Sequence, residues 1–138
     1  MKTLLTIWTI ILCFSASAQT RQEVVAAVLI GEAGGEGSKG LEAVLEVIHE
    51  RAKASHTSTY RVVTKRFQFS CLNRISPKRL VQIARRHHRW SEAMNLAGLV
   101  KVQTNWTRGA NHYHAITINP GWPNKVCEIG NHAFYRFQ

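Results

Sequence analysis

Large aliphatic residues recur at helical spacing in two stretches near the start of the chain. Val25, Val28 and Leu29 stand seven, four and three positions before Glu32, so a helix over residues 24–33 places all three on the face that carries Glu32. Gly34, Gly35 and Gly37 follow at once. They end the helix and leave Glu32 at its open end, where a substrate chain can approach. A second helix is expected from a Ser38 cap to about Ala54, burying Leu41, Val44, Leu45, Ile48 and Ala52. Glu42, Glu46 and Glu50 lie one turn apart on a different face and read as its solvated side, with a second catalytic carboxylate as the alternative.

The pattern then changes. Val62, Val63, Phe67 and Phe69 are β-formers, and residues 60–71 read as extended, ending in Gln68-Phe69-Ser70-Cys71. Ser76-Pro77 supplies an N-cap followed by proline at the first helical position. A third helix is expected from there to about Ala97, with Gly98 as its stop and Leu80, Ile83, Ala84, His87, Ser91 and Met94 facing inward. Residues 110–118 alternate: Ala110, His112, His114, Ile116 and Ile118 face one way, Asn111, Tyr113, Ala115 and Thr117 the other, as in a strand or hairpin arm. Pro120-Gly121-Trp122-Pro123 is a turn, and residues 129–136 read as an aromatic-rich closing strand. The expected architecture is a single α+β domain of three main helices with a small antiparallel sheet or hairpin.

The first residues carry an address rather than fold. Met1-Lys2, the apolar run from Leu4 to Phe14 and Ser15-Ala16-Ser17-Ala18 have the three parts of a secretory signal, with cleavage after Ala18. Residues 1–18 are assigned to the signal peptide and residues 19–138 to the domain. The apolar run is short for a bilayer span, so no stable membrane anchor is expected after cleavage. The mature protein is expected to be exported, to the periplasm, the cell wall or the extracellular space. Cys13 lies in the signal, which leaves Cys71 and Cys127 as an even pair and a candidate disulfide in an exported protein. Their positions in sequence do not say that they meet.

Charge narrows the partners. Eighteen Lys and Arg against eight acidic residues give a formal net charge of +10, and every acidic residue is a glutamate. Such a surface suits an anionic polymer: a cell wall, a membrane surface or nucleic acid. The run Arg85-Arg86-His87-His88-Arg89 spreads around a helix and reads as ordinary basic surface, not as a specific nucleic-acid patch.

Two residue sets could carry chemistry. Glu32 on its apolar face is costly to ionise and so suited to hold and deliver a proton. Gln68, Ser70, Tyr113, His132 and Tyr135 are polar and aromatic groups of the kind that contact sugars. The other set is His112, His114 and His132 as zinc ligands. There is no His-Glu-x-x-His and no aspartate to support them, so no metal or other cofactor is expected.

In order along the chain stand Gly31-Glu32-Ala33 with its glycines, Gln68-Phe69-Ser70, Gly109-Ala110 leading to Tyr113-His114, Pro120-x-Trp122, and Ile129-Gly130-Asn131-His132-x-Phe134-Tyr135. This series resembles the SleB-type cell wall hydrolases, which include spore-cortex-lytic enzymes of the lytic transglycosylase kind. The resemblance spans nearly all of residues 19–138, and its last motif is the most specific. It implies a lysozyme-like α+β catalytic domain that cleaves peptidoglycan between N-acetylmuramic acid and N-acetylglucosamine. It places the catalytic glutamate at Glu32, and substrate contacts at Gln68, Phe69, Ser70, Tyr113, His114, Asn131, His132 and Tyr135. Asn111-His112 departs from the apolar or aromatic residues usual there. No separate wall-binding domain accompanies the motifs, which leaves attachment to the cleft and to basic surface that contacts anionic wall polymers.

Most glycosidases use two carboxylates. A lytic transglycosylase manages with one, because the muramic acid's own C6 hydroxyl is the nucleophile and the second step is intramolecular. A hydrolytic muramidase using Glu36 or Glu42 is the nearest alternative. A non-enzymatic basic protein that binds cell wall or nucleic acid is the alternative from another class.

Overall fold

The computed structural model describes residues 20–138, so the signal assigned to residues 1–18 lies outside the described residues. Helix α1 covers residues 20–33. Its residues Val24 to Leu29 are all buried, six in succession, so α1 is enclosed on every side and not merely along a stripe. Helix α2, Gly37–Ala54, buries Leu41, Val44, Leu45, Ile48 and Ala52 as its spacing predicts. It begins just ahead of the expected Ser38 cap, with Glu36 at the N-cap and no side-chain cap bond.

Residues 60–71 are not extended. They form the short helix α3, Thr59–Thr64, capped by the Ser58 hydroxyl, followed by a 3₁₀ turn, Ser70–Leu72. Val62 and Val63 are buried in the main core, so tertiary packing overrides their strand preference. The expected third helix is two: α4, Pro77–Ala84, and α5, Trp90–Ala97. Ser76 caps α4 with Pro77 in its first turn, as read from the sequence. Between the helices, the imidazole Nδ1 of His87 accepts the Arg89 backbone N–H at 3.2 Å and replaces a helical bond. α4 buries Leu80, Val81 and Ala84 and leaves Ile83 exposed, and beyond the break α5 buries Ala93 and leaves Ser91 exposed.

The C-terminal part is a three-stranded antiparallel sheet of β1, His112–Ala115, β2, Lys125–Ile129, and β3, His132–Tyr135, in the order β1-β3-β2. The expected closing strand is thus a hairpin. Ile129 pairs with His132 across Gly130-Asn131, and Gly130 has φ +56°, which a two-residue hairpin turn with glycine first requires. A small second core joins Ala43 and Val47 of α2 to Ala110, Ile129 and Phe134. Tyr113 packs against both cores and so sits at the seam between the helices and the sheet.

Candidate active site

The end of α1 and the 3₁₀ turn approach each other only because Gly31 lacks a side chain. A Cβ there would stand 2.8 Å from the Cys71 Cβ. The close approach brings the Cys71 backbone N–H to 3.3 Å and the Ser70 hydroxyl to 3.4 Å from Glu32 Oε1, both long donors. The other oxygen is held more tightly, since the Tyr113 hydroxyl donates to Glu32 Oε2 at 2.8 Å. Val25, Val28 and Leu29 are buried, as expected, and the carboxyl itself meets polar donors. Gly34 closes the helix behind it, its N–H bonded to the Ile30 carbonyl at 2.9 Å.

Burial, and then the adjacent Glu32, push the Tyr113 phenol well above its ordinary pKa, so it remains a donor throughout the neutral range. Burial first, with Glu32 beside it, also pushes the Cys71 thiol up, and it stays an unreactive thiol. Arg51 is a cation of this site. Burial pulls its guanidinium below the ordinary value, while Tyr113 and Glu32 oppose that pull. It lies 5.5 Å from the Phe69 ring centroid, and its Nε donates to the Asn111 carbonyl at 2.7 Å. Arg51 therefore ties α2, the turn and the start of β1 together around Glu32.

The residues expected at the site divide into three groups. Ser70 and Tyr113 touch Glu32 directly, and Phe69 is buried under Arg51. His132 stands edge-on to Tyr113 at 4.9 Å between centroids, while Gln68 is exposed on the approach to the turn. His114 and Tyr135 lie on the other face of the sheet from Tyr113, stacked on each other, with Tyr135 OH 2.9 Å from His114 Nε2. His114 Nδ1 is 2.7 Å from the Ala115 carbonyl, which fixes the proton there and leaves Nε2 to accept from Tyr135. Asn131 is exposed at the hairpin tip, where its carbonyl accepts from Ile116 N–H at 2.9 Å.

Three alternatives read from the sequence are corrected by this geometry. The zinc set fails because His112 and His114 share the outer face of the sheet with Tyr135, whereas His132 lies on the inner face and bonds Glu36. Glu46 is not solvated: its side chain is buried and accepts from Thr104 Oγ1, Trp106 N, Thr107 N and Thr107 Oγ1 at 2.6–2.9 Å. Glu42 accepts from the Trp106 indole at 2.6 Å. The candidate disulfide is not formed. Cys71 packs beside Glu32, while Cys127 on β2 directs its thiol to the Trp106 carbonyl at 3.6 Å, and both are free.

Two members of the site were missed in the sequence. Arg51 follows Val44 and Ile48 at the spacing of the buried face of α2, and that position was the available signal. The Cys71 donor is a backbone group and leaves no mark in the sequence.

A family model described as Cell Wall Hydrolase matches residues 35–135, a span that begins just after Glu32. The catalytic domain of the Bacillus cereus SleB protein has a similar structure, with a TM-score of 0.59 and 22% identity over 86% of this chain and 91% of that one. That likeness gives the fold as the lysozyme-like α+β fold. No curated protein matches the chain. Among the described residues, no helix is long and apolar enough to cross a membrane. With the matched span covering most of its length, the chain belongs to the cell wall hydrolase family.

Proposed function

We propose that the protein is an exported lytic transglycosylase that cleaves peptidoglycan glycan strands with Glu32 as its single acid and base. The observation that carries this reading is the distribution of carboxylates. Glu32 ends α1 with Tyr113, Ser70 and the Cys71 N–H around it. The two glutamates considered as its partner are engaged elsewhere, Glu36 with His132 and Glu42 with Trp106.

In the first step Glu32 gives its proton to the glycosidic oxygen, and the bond from that oxygen to the muramic C1 breaks. The three donors and the Arg51 cation then face the negative charge that develops on the carboxyl. In the second step the C6 hydroxyl of the same muramic acid attacks C1 and returns its proton to Glu32, closing a 1,6-anhydro ring. One carboxyl suffices because the nucleophile is tethered within the substrate. Tyr113, which keeps its proton, orients the carboxyl through both steps. Gln68, exposed beside the site, is the sugar-facing candidate nearest to it, while His132, nearly buried and bonded to Glu36, braces the Tyr113 ring. Asn131 lies at the hairpin tip, and His114 and Tyr135 lie on the other face of the sheet from Tyr113. The basic surface would hold the enzyme on anionic wall polymers.

Mass analysis of the soluble products from purified peptidoglycan tests the reading. Ends in 1,6-anhydro-muramic acid, one water lighter than reducing ends, are expected. Reducing ends would make the enzyme a muramidase, and release of no fragment would make the protein a binder.

A further inference from the structure

At the open end of the β2–β3 hairpin, opposite its Gly130-Asn131 turn, is a cavity of about 460 Å³ lined by Arg108, Asn124, Lys125, Val126, Arg136 and Gln138. The Glu32 site contributes none of these residues. Three of the six are cations. Lys125 is paired only with Glu128, by an exposed bridge, and among the described residues Arg108 and Arg136 have no acidic partner.

The cations are held on shaped backbone. Arg108 and Asn124 have φ of 50° and 64°, a left-handed conformation that is uncommon for residues other than glycine. The loop that presents Arg108 is fastened by the bonds of Glu46 to Thr104, Trp106 and Thr107. Asn124 is fastened by the Arg136 N–H, which donates to its carbonyl at 3.2 Å. The Arg136 side chain passes Gly109, the residue after Arg108, with its Cδ 3.9 Å from where a Cβ would stand. Asn111 grips the backbone between Arg136 and Gln138, its amide donating to the Phe137 carbonyl at 2.7 Å and its oxygen accepting the Phe137 N–H at 2.9 Å. These bonds fix the backbone from which the exposed Arg108 and Arg136 side chains extend.

We propose that this cavity is an oxyanion site that grips an anionic group of the cell wall at a distance from the cleavage site. Two arginines line one cavity, a guanidinium fork matches the planar, bidentate geometry of phosphate and carboxylate oxygens, and Lys125 adds a third positive charge. The volume falls in the range that takes a small polymer unit together with its charged group. The phosphodiester of an anionic wall polymer and the carboxylates of a peptide stem share this chemistry. The choice of a wall-borne anion rests on the function proposed above. The binding test involves no cleavage, so either can fail without the other.

Binding of a poly(glycerol phosphate) oligomer and of a free stem peptide is measured by titration calorimetry at low salt, on the full chain. At least one is expected to bind, and the tighter one identifies the source. R108Q/R136Q is expected to lose about tenfold in affinity or more, whereas K78Q/R79Q, which removes the same charge from the exposed surface of α4, loses little. R108K/R136K keeps the charge and should recover part of the binding, with thermal melting confirming that each variant is folded. Equal losses in the two Gln variants, no loss in R108Q/R136Q, or no binding of either probe would overturn the site. Tighter binding of a DNA oligonucleotide than of both wall probes would overturn the wall as its source.

Discussion

Glu36 Oε1 lies 2.9 Å from His132 Nδ1, with both side chains nearly buried at 9% and 12% exposure. The glutamate four residues after Glu32 is thus a strut between the α2 N-terminus and the hairpin, and His132 in turn braces the Tyr113 ring. Gly40 and Gly130 make room for it: a Cβ at either would stand 2.5 Å from a Glu36 atom.

Removing one partner from a buried pair leaves the other uncompensated. Glu36→Ala is therefore expected to cost about 1–3 kcal/mol of stability, the cost of a buried polar group left without its partner. Gly130→Ala should cost about 1–3 kcal/mol, because it combines a positive φ with contact against the pinned carboxylate. Chemical denaturation checks both values. Cleavage per folded molecule should fall far less in Glu36→Ala than in a variant of Glu32.

Tyr113→Phe removes one hydrogen bond to Glu32 and keeps the ring at the seam of the two cores. A bond of this kind to a charged group is worth about 1.5–3 kcal/mol, so stability should fall by up to that amount and kcat of the folded protein by roughly 10- to 100-fold. Wild-type activity in Tyr113→Phe would remove Tyr113 from the mechanism.

The same residue gives a sign to alkaline stability. Burial raises the folded-state pKa of Tyr113 and of Cys71, so the folded protein keeps protons that the unfolded chain releases above about pH 8.5 for cysteine and about pH 10 for tyrosine. Their contribution is complete below those values and is lost as pH rises through the folded-state pKa. Melting temperature should therefore fall on the alkaline side, and the fall should be shallower in Tyr113→Phe. An identical alkaline limb in the two proteins would contradict the burial assigned to the phenol.

The sequence was legible where periodicity is long. α1 and α2 each run for several turns, so their buried faces and the glycine stop after Glu32 could be read directly. α3 has only six residues, too few for a helical period to show, and Val62 and Val63 spoke for a strand. The break between α4 and α5 carries neither proline nor glycine, since it is made by the His87 imidazole taking a backbone donor. Glu46 shared its spacing with Glu42 and Glu50, and only the return of residues 104–107 across α2 distinguishes it. At the site, Glu32, Ser70 and Tyr113 were legible from residue type and motif order. Arg51 was hidden in a face taken as apolar, and the separation of His132 from His112 and His114 depends on strand register.

That register also predicts the response to chelation. With His132 on the opposite face of the sheet from His112 and His114, the three cannot converge on one ion. Cleavage of peptidoglycan should persist after treatment with a strong chelator. Loss on chelation and return with added zinc would contradict the assignment.

The most direct measurement is the cleavage rate of folded Glu32→Gln protein on purified peptidoglycan. The substitution keeps the size of the side chain and its ability to accept from Tyr113, but it has no proton to deliver. General acid–base catalysis contributes about 10²–10⁴-fold, so a loss of at least that size is expected with melting behaviour preserved. Near-normal cleavage by folded Glu32→Gln protein would contradict the account.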